Sequence, residues 1–570
     1  MNKSTVTVSS ISCELGYLAM NIKLASGFSQ LAKVEVQLIM QNLKVVDLLR
    51  LGRCSKFFKQ TTLDKFTWKY TNEIELKLGD MKSLINKGLW RSPVSISQQY
   101  LKISVMHNSG YLSRCDELNM IISIINYYCK KNVSSMHFSG ITRAIDILSF
   151  VNHLSNLVKS LSNLTTLTVN YSYIYNLHVY ILVNALRCCP QFSTLNLKHN
   201  SIGGGKIMAA SEIFDHLKVS FLNLEDNNVG NKDIIDLSYC INTPNSHLTS
   251  LNLANNSFDG VGVVELCHAL TTSNTLTYLN IGLNAIGEEG SAAVSRMLKS
   301  NKSLKRLVME QCEIDDRSIL NLAEGIEQNQ TIQSLDLSSN KFTELGSQAL
   351  MNAIFMNQTL TDINVHSNCF SSKSMIELSK FIGASKIITS VNFGNIKTIY
   401  CENGGISAFA NAIRNNKSLL SLSLSNNSLG NEHVNLLADA MKSIPSLTYL
   451  NLSHNNISQL DINVITTAFE NKRNIHIDLS HNQIDNDGVK GLINTIKYNM
   501  AFTKMKINLS HNEIDDQGFQ TLANAIRYRI FIGQCSSDIS INVAYNKLSF
   551  AVESNFVNKA NSIVYSCFEL

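Results

Sequence analysis

One short phrase returns along most of this 570-residue chain. "LTSLNLANNSF" (Leu248–Phe258), "IQSLDLSSNKF" (Ile332–Phe342) and "LTYLNLSHNNI" (Leu447–Ile457) are versions of L-x-x-L-x-L-x-x-N-x-I, and most intervals between successive copies are 27 to 29 residues. Internal repetition at such a period is typical of arrays in which each unit buries its apolar face against its neighbours. The repeat therefore limits the possible fold more than any other feature of the chain.

The phrase has a simple chemistry. Its x-L-x-L-x segment alternates with period two, which predicts a short strand whose leucines face inward. The asparagine that follows is predicted to bond backbone groups where the chain leaves the strand, and a cysteine is small enough to replace it in one copy. Degenerate early copies have Ile141 and Ser172 at this position, and the later copies have Asn200, Asn227, Asn256, Asn284, Cys312, Asn340, Asn368, Ile396, Asn427, Asn455, Asn482, Asn512 and Asn546.

A helical stretch follows the turn. In "DQGFQTLANAI" (Asp516–Ile526) the apolar residues Phe519, Leu522 and Ala523 recur with Ile526 at helical spacing, which predicts an amphipathic helix with one buried face. Neighbouring strands need about 4.8 Å of an array and neighbouring helices about 10 Å. Stacked strand–helix units are therefore predicted to curve, with a parallel sheet on the inside.

The repeated unit resembles the ribonuclease-inhibitor class of leucine-rich repeat, which also occurs in NLR receptors and RanGAP. This resemblance implies an α/β fold: a right-handed curved solenoid with the parallel β-sheet inside and the helices outside. It covers residues 131–560, or about 14–15 units, and leaves 561–570 as a C-terminal cap or tail. This scaffold accepts many unrelated partners, so the fold alone does not define a function.

Bulk properties exclude several function classes. The net charge of +5 is spread along the chain without a basic tract, so nucleic acid is not an expected partner. The 13 cysteines are scattered and odd in number, which favours buried thiols in a reducing compartment. No signal peptide or membrane span is evident, and sequons such as the one at Asn163 fall inside the repeat motif. A cytoplasmic location is therefore expected.

The inner sheet face provides the candidate target-binding residues. An asparagine stands between the paired leucines of most copies, and stacked amides are expected to bond one another as a structural ladder or, less favourably, to contact a partner. Three histidines in successive repeats are interpreted as exposed repeat residues or as a pH-sensitive or aromatic contact surface. An in-line column without Cys or carboxylate disfavours a metal site. The candidates for target binding are Asn364, His366, Asn451, His454, Asp478, His481, Asn508, His511 and Tyr545.

The segment before the repeats does not share their rhythm. After an N-terminal tail (1–26), residues 27–72 contain more large apolar residues than three short helices can bury. Between Lys33 and Lys69 this segment has eight basic residues against three acidic ones, a net charge of +5. Either it caps the first turn of the solenoid or it presents an apolar face with a basic rim to an acidic partner. Residues 73–130 are interpreted as a bridging or capping region.

"DLLRLGRCSKFF" (Asp47–Phe58) resembles the F-box, and the combination with leucine-rich repeats is common. The resemblance implies a small all-α domain that binds the Skp adaptor of a cullin-RING ubiquitin ligase, with the solenoid holding an unknown target protein. Such an SCF-type substrate receptor is not an enzyme and needs no cofactor, and the chain's composition also allows an effector delivered into a eukaryotic host. The rival is a non-enzymatic scaffold whose first helices only cap the solenoid. The adaptor-binding residues implied are Leu31, Leu38, Leu43, Asp47, Leu48, Arg50, Leu51, Arg53, Lys56 and Phe58.

Overall fold

The computed structural model divides into two compact units, residues 1–257 and 258–570, which are described separately. The F-box-like segment, with every implied adaptor-binding residue, lies outside the described residues, as does Ile141. The structure describes residues 73–77, 101–106, 133–140, 147–204, 217–244, 246–370, 372–396, 404–458, 464–466, 468–469, 472–499, 504–532, 539–549 and 568–569.

The first unit contains a parallel sheet in which each described strand pairs with the next in chain order. Its first two strands lie in the region interpreted as a bridge before the repeats. The strands are β1 (Glu73–Lys77), β2 (Leu101–Met106), β3 (Val133–Ser139), β4 (Thr166–Asn170), β5 (Thr194–Asn196), β6 (Phe221–Asn223) and β7 (Ser250–Asn252), and the described helices are α1 (Ile147–Val158), α2 (Asn176–Leu186) and α3 (Asn231–Ile241).

The second unit repeats the same arrangement, again with parallel pairing in chain order. Its strands are β8 (Tyr278–Asn280), β9 (Arg306–Val308), β10 (Ser334–Asp336), β11 (Asp362–Asn364), β12 (Ser390–Asn392), β13 (Ser421–Ser423), β14 (Tyr449–Asn451), β15 (Asn474–Asp478), β16 (Lys504–Asn508), β17 (Ile539–Asn542) and β18 (Phe568–Glu569). Its described helices are α4 (Gly260–Thr272), α5 (Gly287–Ser300), α6 (Asp316–Gln328), α7 (Glu344–Met356), α8 (Ser372–Ala384), α9 (Gly404–Asn415), α10 (Asn431–Lys442), α11 (Asn486–Tyr498) and α12 (Asp516–Phe531).

The core lies between the sheet and the helices. The paired leucines of the phrase are buried, as Leu335 and Leu337 of β10 show, while the alternate residues of the same strand stay partly exposed. The apolar residue that ends the phrase adds a spine of rings, since Phe342 and Phe370 pack edge to face with their centroids 6.0 Å apart. The predicted fold class, a parallel-sheet solenoid with one helix layer, is confirmed within each unit.

The predicted amphipathic helix is confirmed as α12, where Phe519, Leu522, Ala523 and Ile526 are all buried. The carboxylate of Asp515 caps it by accepting the backbone N–H groups of the second and third helical residues. In most described units the helix begins eight residues after the last residue of its strand, as in β10–α7 and β16–α12, so the turn between them recurs with similar geometry. This turn fixes where the polar side chains of the sheet edge point.

Candidate functional site

The phrase asparagines form a strand-exit ladder, the name used below for Asn200 and its equivalents. In Asn340, Nδ2 donates to the carbonyl oxygens of Met309 (2.9 Å) and Leu337 (2.9 Å), and Oδ1 accepts the N–H groups of Cys312 (2.9 Å) and Ile314 (3.1 Å). The amide therefore closes its own turn and that of the preceding repeat. The predicted bonding of this asparagine to backbone groups is confirmed.

Cys312 replaces the asparagine in one repeat. Its Sγ lies 3.4 Å from the carbonyl oxygens of Ile281 and Glu310, so the thiol keeps part of the donation that an amide gives. Burial raises the pKa of this thiol to about 12, which excludes a thiolate nucleophile at neutral pH. Cys312 is a structural member of the ladder.

The asparagine column between the paired leucines bonds differently from the expectation. Its side-chain oxygens accept the backbone N–H two residues further along the same strand, as in Asn451 to Ser453 (2.9 Å) and Asn508 to Ser510 (3.2 Å). A lateral bond forms where a carboxylate is the neighbour, since Asn364 Nδ2 donates to Asp336 Oδ2 at 2.9 Å. These amides shape the strand end and leave their outer edges on the sheet face that the helices do not cover, called the open face below.

The residue just before each ladder asparagine has a left-handed backbone. His454, His481, His511 and Tyr545 have φ values of 55°, 54°, 55° and 56°, a region that Asn, Asp and His enter more readily than most residues. The turn geometry points these side chains outward in one row. Their rings stack with centroid separations of 3.9, 4.0 and 4.4 Å and interplanar angles of 12°, 12° and 15°. We call these four residues the ring strip.

The middle histidine of the ring strip, His481, has a lowered pKa. Burial, followed by the charges of His454 and His511, lowers the pKa of His481, and Asp478 opposes that shift. Asp478 Oδ1 is itself held by the backbone N–H and the hydroxyl of Ser480, at 3.0 and 2.7 Å. The exposed edges of three imidazole rings thus lie near one carboxylate that already accepts two hydrogen bonds.

The first unit has a shorter stack at the same repeat position. The rings of Tyr171 and His199 are 4.1 Å apart at 18°, and His199 Nδ1 contacts the carboxylate of Asp226. A neighbouring acid therefore binds this histidine, whereas the histidines of the ring strip stack only on other rings. The two stacks have similar ring geometry, but the shorter one includes a histidine in contact with a carboxylate.

The predicted target-binding residues fall into two groups on the second unit. Adjacent strands bring the larger group together, because the register places Asp478 between Asn451 and Asn508. Asn364 and His366 lie at β11, three strands away from β14. The larger group consists of Asn451, His454, Asp478, His481, Asn508, His511 and Tyr545.

The smaller group lies in an acidic setting. Burial, followed by the charge of Asp336, raises the pKa of Glu310, and burial is the main reason that the pKa of Asp362 is raised. Burial also lowers the pKa of His366, against the effect of Asp336. Three carboxylates on β9–β11 and the loops after them therefore give this part of the open face a negative charge.

The open-face residue that lies two positions before the asparagine column of each strand was not predicted. On β14–β16 these residues are Tyr449, His476 and Lys506, with Lys504 two residues before the last. Their side chains are variable in the repeat, so the repeated phrase gives no signal for them. Counting back two residues from the asparagine column would have found them, because alternate residues of a strand share a face.

A second asparagine ladder, also missed, lies where each helix ends. Nδ2 of Asn329 donates to the carbonyl oxygens of Leu298 (2.7 Å) and Asn301 (3.4 Å), while Oδ1 accepts N–H groups of its own loop. The sequence signal for this ladder is Asn-x-Ser/Thr-Leu/Ile, in which the Leu or Ile is the first residue of the next L-x-x-L-x-L phrase. We call it the helix-end ladder, and its buried amides include Asn301, Asn329, Asn357 and Asn416.

Two cations occupy places in the helix-end ladder. Lys472 Nζ donates to the carbonyl oxygens of Met441 (3.4 Å) and Ile444 (2.8 Å). Arg529 Nη1 donates to those of Ile496 (3.1 Å) and Asn499 (3.0 Å). Burial lowers the pKa of Lys472 to about 8. Both side chains are buried, so they belong to the architecture and not to the open face.

Within the described part of the chain, no group of three His, Cys, Asp or Glu side chains is arranged to hold a metal ion. No helix there combines the length and apolar character that crossing a membrane requires.

Comparison with known proteins gives one family match. None of the curated proteins matches the chain. A family model described as a leucine-rich repeat matches six stretches, residues 245–267, 272–295, 328–351, 443–459, 475–492 and 504–523. These stretches coincide with the strand-and-turn phrase and the helix after it. Leucine-rich repeats are therefore present, and such repeats are typical of protein-interaction scaffolds.

Several solved structures are similar to the chain. An internalin from Listeria monocytogenes is 19% identical, with a TM-score of 0.32, over 54% of this chain and 80% of the internalin. The structure titled leiomodin-1 actin-binding site 2 is 21% identical, with a TM-score of 0.23, over 27% of this chain and 87% of the other. A TLR13–ssRNA13 complex is 14% identical, with a TM-score of 0.41, over 85% of this chain and 62% of that one. The likeness is one of repeat architecture and carries nothing about partners.

Proposed function

We propose that this protein is a non-catalytic scaffold that binds a target protein on the open face of its second unit. The observation that supports this most is the contrast between the two kinds of residue on each strand. The leucines are buried and the ladder amides are bonded to backbone groups, whereas the open face presents polar strand residues, such as Ser390, Asn392 and Ser421, that are partly exposed. A face built of Ser390, Asn392, Ser421 and their neighbours is polar without large protruding side chains, which suits a bulky protein partner.

We further propose that residues 27–72 are an F-box and that the chain is the substrate receptor of an SCF-type ubiquitin ligase. The support is the sequence "DLLRLGRCSKFF" with its apolar and basic residues, upstream of leucine-rich repeats. Receptor and adaptor would then act by proximity, holding target lysines near the conjugating enzyme without any reaction on this chain. A cytoplasmic location follows from this proposal, in the host if the protein is a delivered effector.

Capture of proteins by the tagged full chain in eukaryotic cells tests both proposals. Leu48→Ala with Leu51→Ala should abolish capture of the Skp adaptor, at least about tenfold, because both side chains belong to the implied apolar interface. The matched control, Leu148→Ala with Leu345→Ala, removes two exposed leucines from α1 and α7 and should leave capture unchanged. Adaptor capture that survives the first pair overturns the F-box proposal and favours the rival, in which these helices only cap the solenoid.

The same capture experiment tests the target face separately. Ser390→Arg with Ser421→Arg places bulk and charge on adjacent strands of the open face and should remove the target while the adaptor remains. Asn411→Arg with Asn435→Arg adds the same charge on exposed positions of α9 and α10 and serves as the control. If the strand pair and the helix pair retain the same proteins, the open face is not the target surface.

A further inference from the structure

A cluster of exposed basic side chains lies on the open face at β14–β16 and the turns after these strands. It combines the three histidines of the ring strip with His476, Lys504 and Lys506, all of them exposed. The register sets Lys506 directly opposite His476, and Lys504 opposite Asn474. We call His454, His476, His481, Lys504, Lys506 and His511 the histidine–lysine patch.

The histidines of the patch are held in place by their neighbours. His454, His481 and His511 stack face to face, and His476 meets the ring of Tyr449 edge to face at 4.7 Å. Stacking covers the faces of these imidazoles, so the ring edges with their nitrogen atoms are what a partner meets. An ordered row of N–H donors fits a set of carboxylate acceptors.

The carboxylates around the patch are already engaged. Asp478, on β15 between the histidines, accepts two bonds from Ser480. On the helix side of the ring strip, Glu513 is paired with Lys547 at 3.1 Å, and Asp485 and Asp515 cap α11 and α12. Asp487 is bound by Lys490, and Asp516 Oδ1 accepts the N–H of Ser549.

The opposite charge lies elsewhere on the same face. Glu310, Asp336 and Asp362 belong to β9–β11 and the loops after them, and although Arg306 of β9 acts on Asp362, three carboxylates against one guanidinium disfavour an acidic partner there. Between the two regions, β12 and β13 present Ser, Asn and Gly side chains. The charge pattern thus allows an acidic segment at β14–β16 and rejects it at β9–β11.

We propose that the histidine–lysine patch binds an acidic polypeptide segment of the target protein, and binds it more tightly as the pH falls through the range in which histidine gains its proton. This inference rests on the proposed scaffold function and names the partner chemistry of the same face. Lys504 and Lys506 hold carboxylates at every physiological pH. Protonation of histidine adds positive charge beside them.

A polypeptide fits this patch better than nucleic acid does. Binding of phosphate chains depends on a dense set of Arg and Lys contacts, whereas this patch has two lysines with Asp478 between the strand positions. Imidazole N–H groups are sufficient for carboxylates, which carry less charge each. An oligonucleotide is therefore the informative competitor.

Binding of a fluorescent oligoglutamate peptide to the full chain tests the proposal. Fluorescence anisotropy at constant ionic strength should show about tenfold tighter binding at about pH 5.5 than at about pH 7.5. The triple variant His454→Asn, His481→Asn and His511→Asn should lose this pH dependence. It should still fold, because Asn395 and Asn426 occupy the same left-handed position in other repeats.

Two further variants complete the design. Lys504→Ala with Lys506→Ala should weaken binding several-fold at both pH values while the pH dependence remains. The matched control His153→Asn, His247→Asn and His268→Asn removes three exposed histidines from other surfaces and should behave as the wild type.

Three results would overturn the proposal: no peptide binding at either pH, a triple ring-strip variant that keeps the pH dependence, or an oligothymidylate that binds as tightly as the peptide. The scaffold proposal has a separate test, since it fails when the Ser390→Arg and Ser421→Arg pair loses no captured protein. A target that is captured on the open face but indifferent to the patch variants overturns only the acidic-segment proposal.

Discussion

The strand-exit ladder and the helix-end ladder of the second unit are both built from side-chain amides. Among the described residues, a lysine or arginine takes the place of the asparagine in the helix-end ladder, at Lys472 and Arg529. In the strand-exit ladder the amide is both acceptor and donor toward the preceding repeat, because Oδ1 accepts N–H groups of the preceding turn and Nδ2 donates to a carbonyl group after the preceding strand. In the helix-end ladder the link to the preceding repeat is donation alone, to the last carbonyl groups of a helix.

The difference explains which replacements each ladder accepts. A lysine or arginine can donate to the carbonyl end of a helix, which also favours positive charge, and Lys472 and Arg529 do so. Neither side chain can accept an N–H. A cation can therefore replace the repeated asparagine only where the amide oxygen accepts N–H groups of its own loop and not those of the preceding repeat.

Lysine scanning of the two ladders should give the largest effect. Asn482→Lys removes an acceptor for the buried N–H groups of Asn455 and Ile457 and places a charge there, at a cost of about 3–5 kcal/mol of unfolding free energy. Asn329→Lys keeps the donation to the helix end and loses acceptors only within its own loop, for the N–H groups of Thr331 and Ile332, so it should cost less, about 1–3 kcal/mol. Urea unfolding followed by circular dichroism measures both.

The control for this pair is His481→Asn, which changes the exposed neighbour of Asn482 to a residue that accepts the same backbone conformation. It should shift the unfolding free energy by less than about 0.5 kcal/mol. Equal costs for the two lysine variants would contradict the distinction between the ladders.

Replacing Lys472 by asparagine should have a smaller effect on the free energy of unfolding, and of the opposite sign. Burial lowers the pKa of Lys472 from 10.5 to about 8, so between these values the unfolded chain holds a proton that the folded chain has released. Wild-type stability relative to Lys472→Asn should therefore rise with pH from about 8 to 10.5 and stay constant below 8. Near neutral pH the variant should be about 1–3 kcal/mol more stable, because it removes a buried charge.

Urea midpoints of the two proteins across this pH range check the sign. A solvent-exposed change at the same helix end, Arg473→Asn, is the control for nonspecific charge effects. A wild type that gains nothing relative to the variant above pH 8 would show that Lys472 is not a buried cation.

The strand-exit ladder could be predicted from the sequence and the helix-end ladder could not, and the reason is physical. The first is occupied almost everywhere by asparagine because both directions of bonding are required, so it repeats visibly. The second admits asparagine, lysine and arginine, which share a donor and little else in a sequence pattern. The row of histidines was visible as three successive copies, but the stacking of their rings depends on the left-handed turn, which no residue type dictates.

The open face was predicted in part. The amides of the column between the leucines accept the backbone N–H two residues further along their own strands, as Asn451 and Asn508 do, whereas mutual bonding of the amides was expected. Lys504, Lys506 and His476 were missed because a binding surface consists of the positions that a repeat leaves free to vary. The adaptor-binding residues of the F-box-like segment remain predictions.

The helix-end ladder also predicts how folding of this chain should respond to N-glycosylation. Asn301, Asn329, Asn357 and Asn416 each begin an Asn-x-Ser/Thr sequence that an oligosaccharyltransferase modifies, and the Nδ2 atom that would receive the sugar is the buried donor of the ladder. A chain sent through the secretory pathway should therefore yield folded protein mainly when glycosylation is blocked, measurable as secreted yield with and without an inhibitor; folded product bearing sugar at these four residues would contradict this. Folding and glycosylation therefore compete for the same nitrogen atoms.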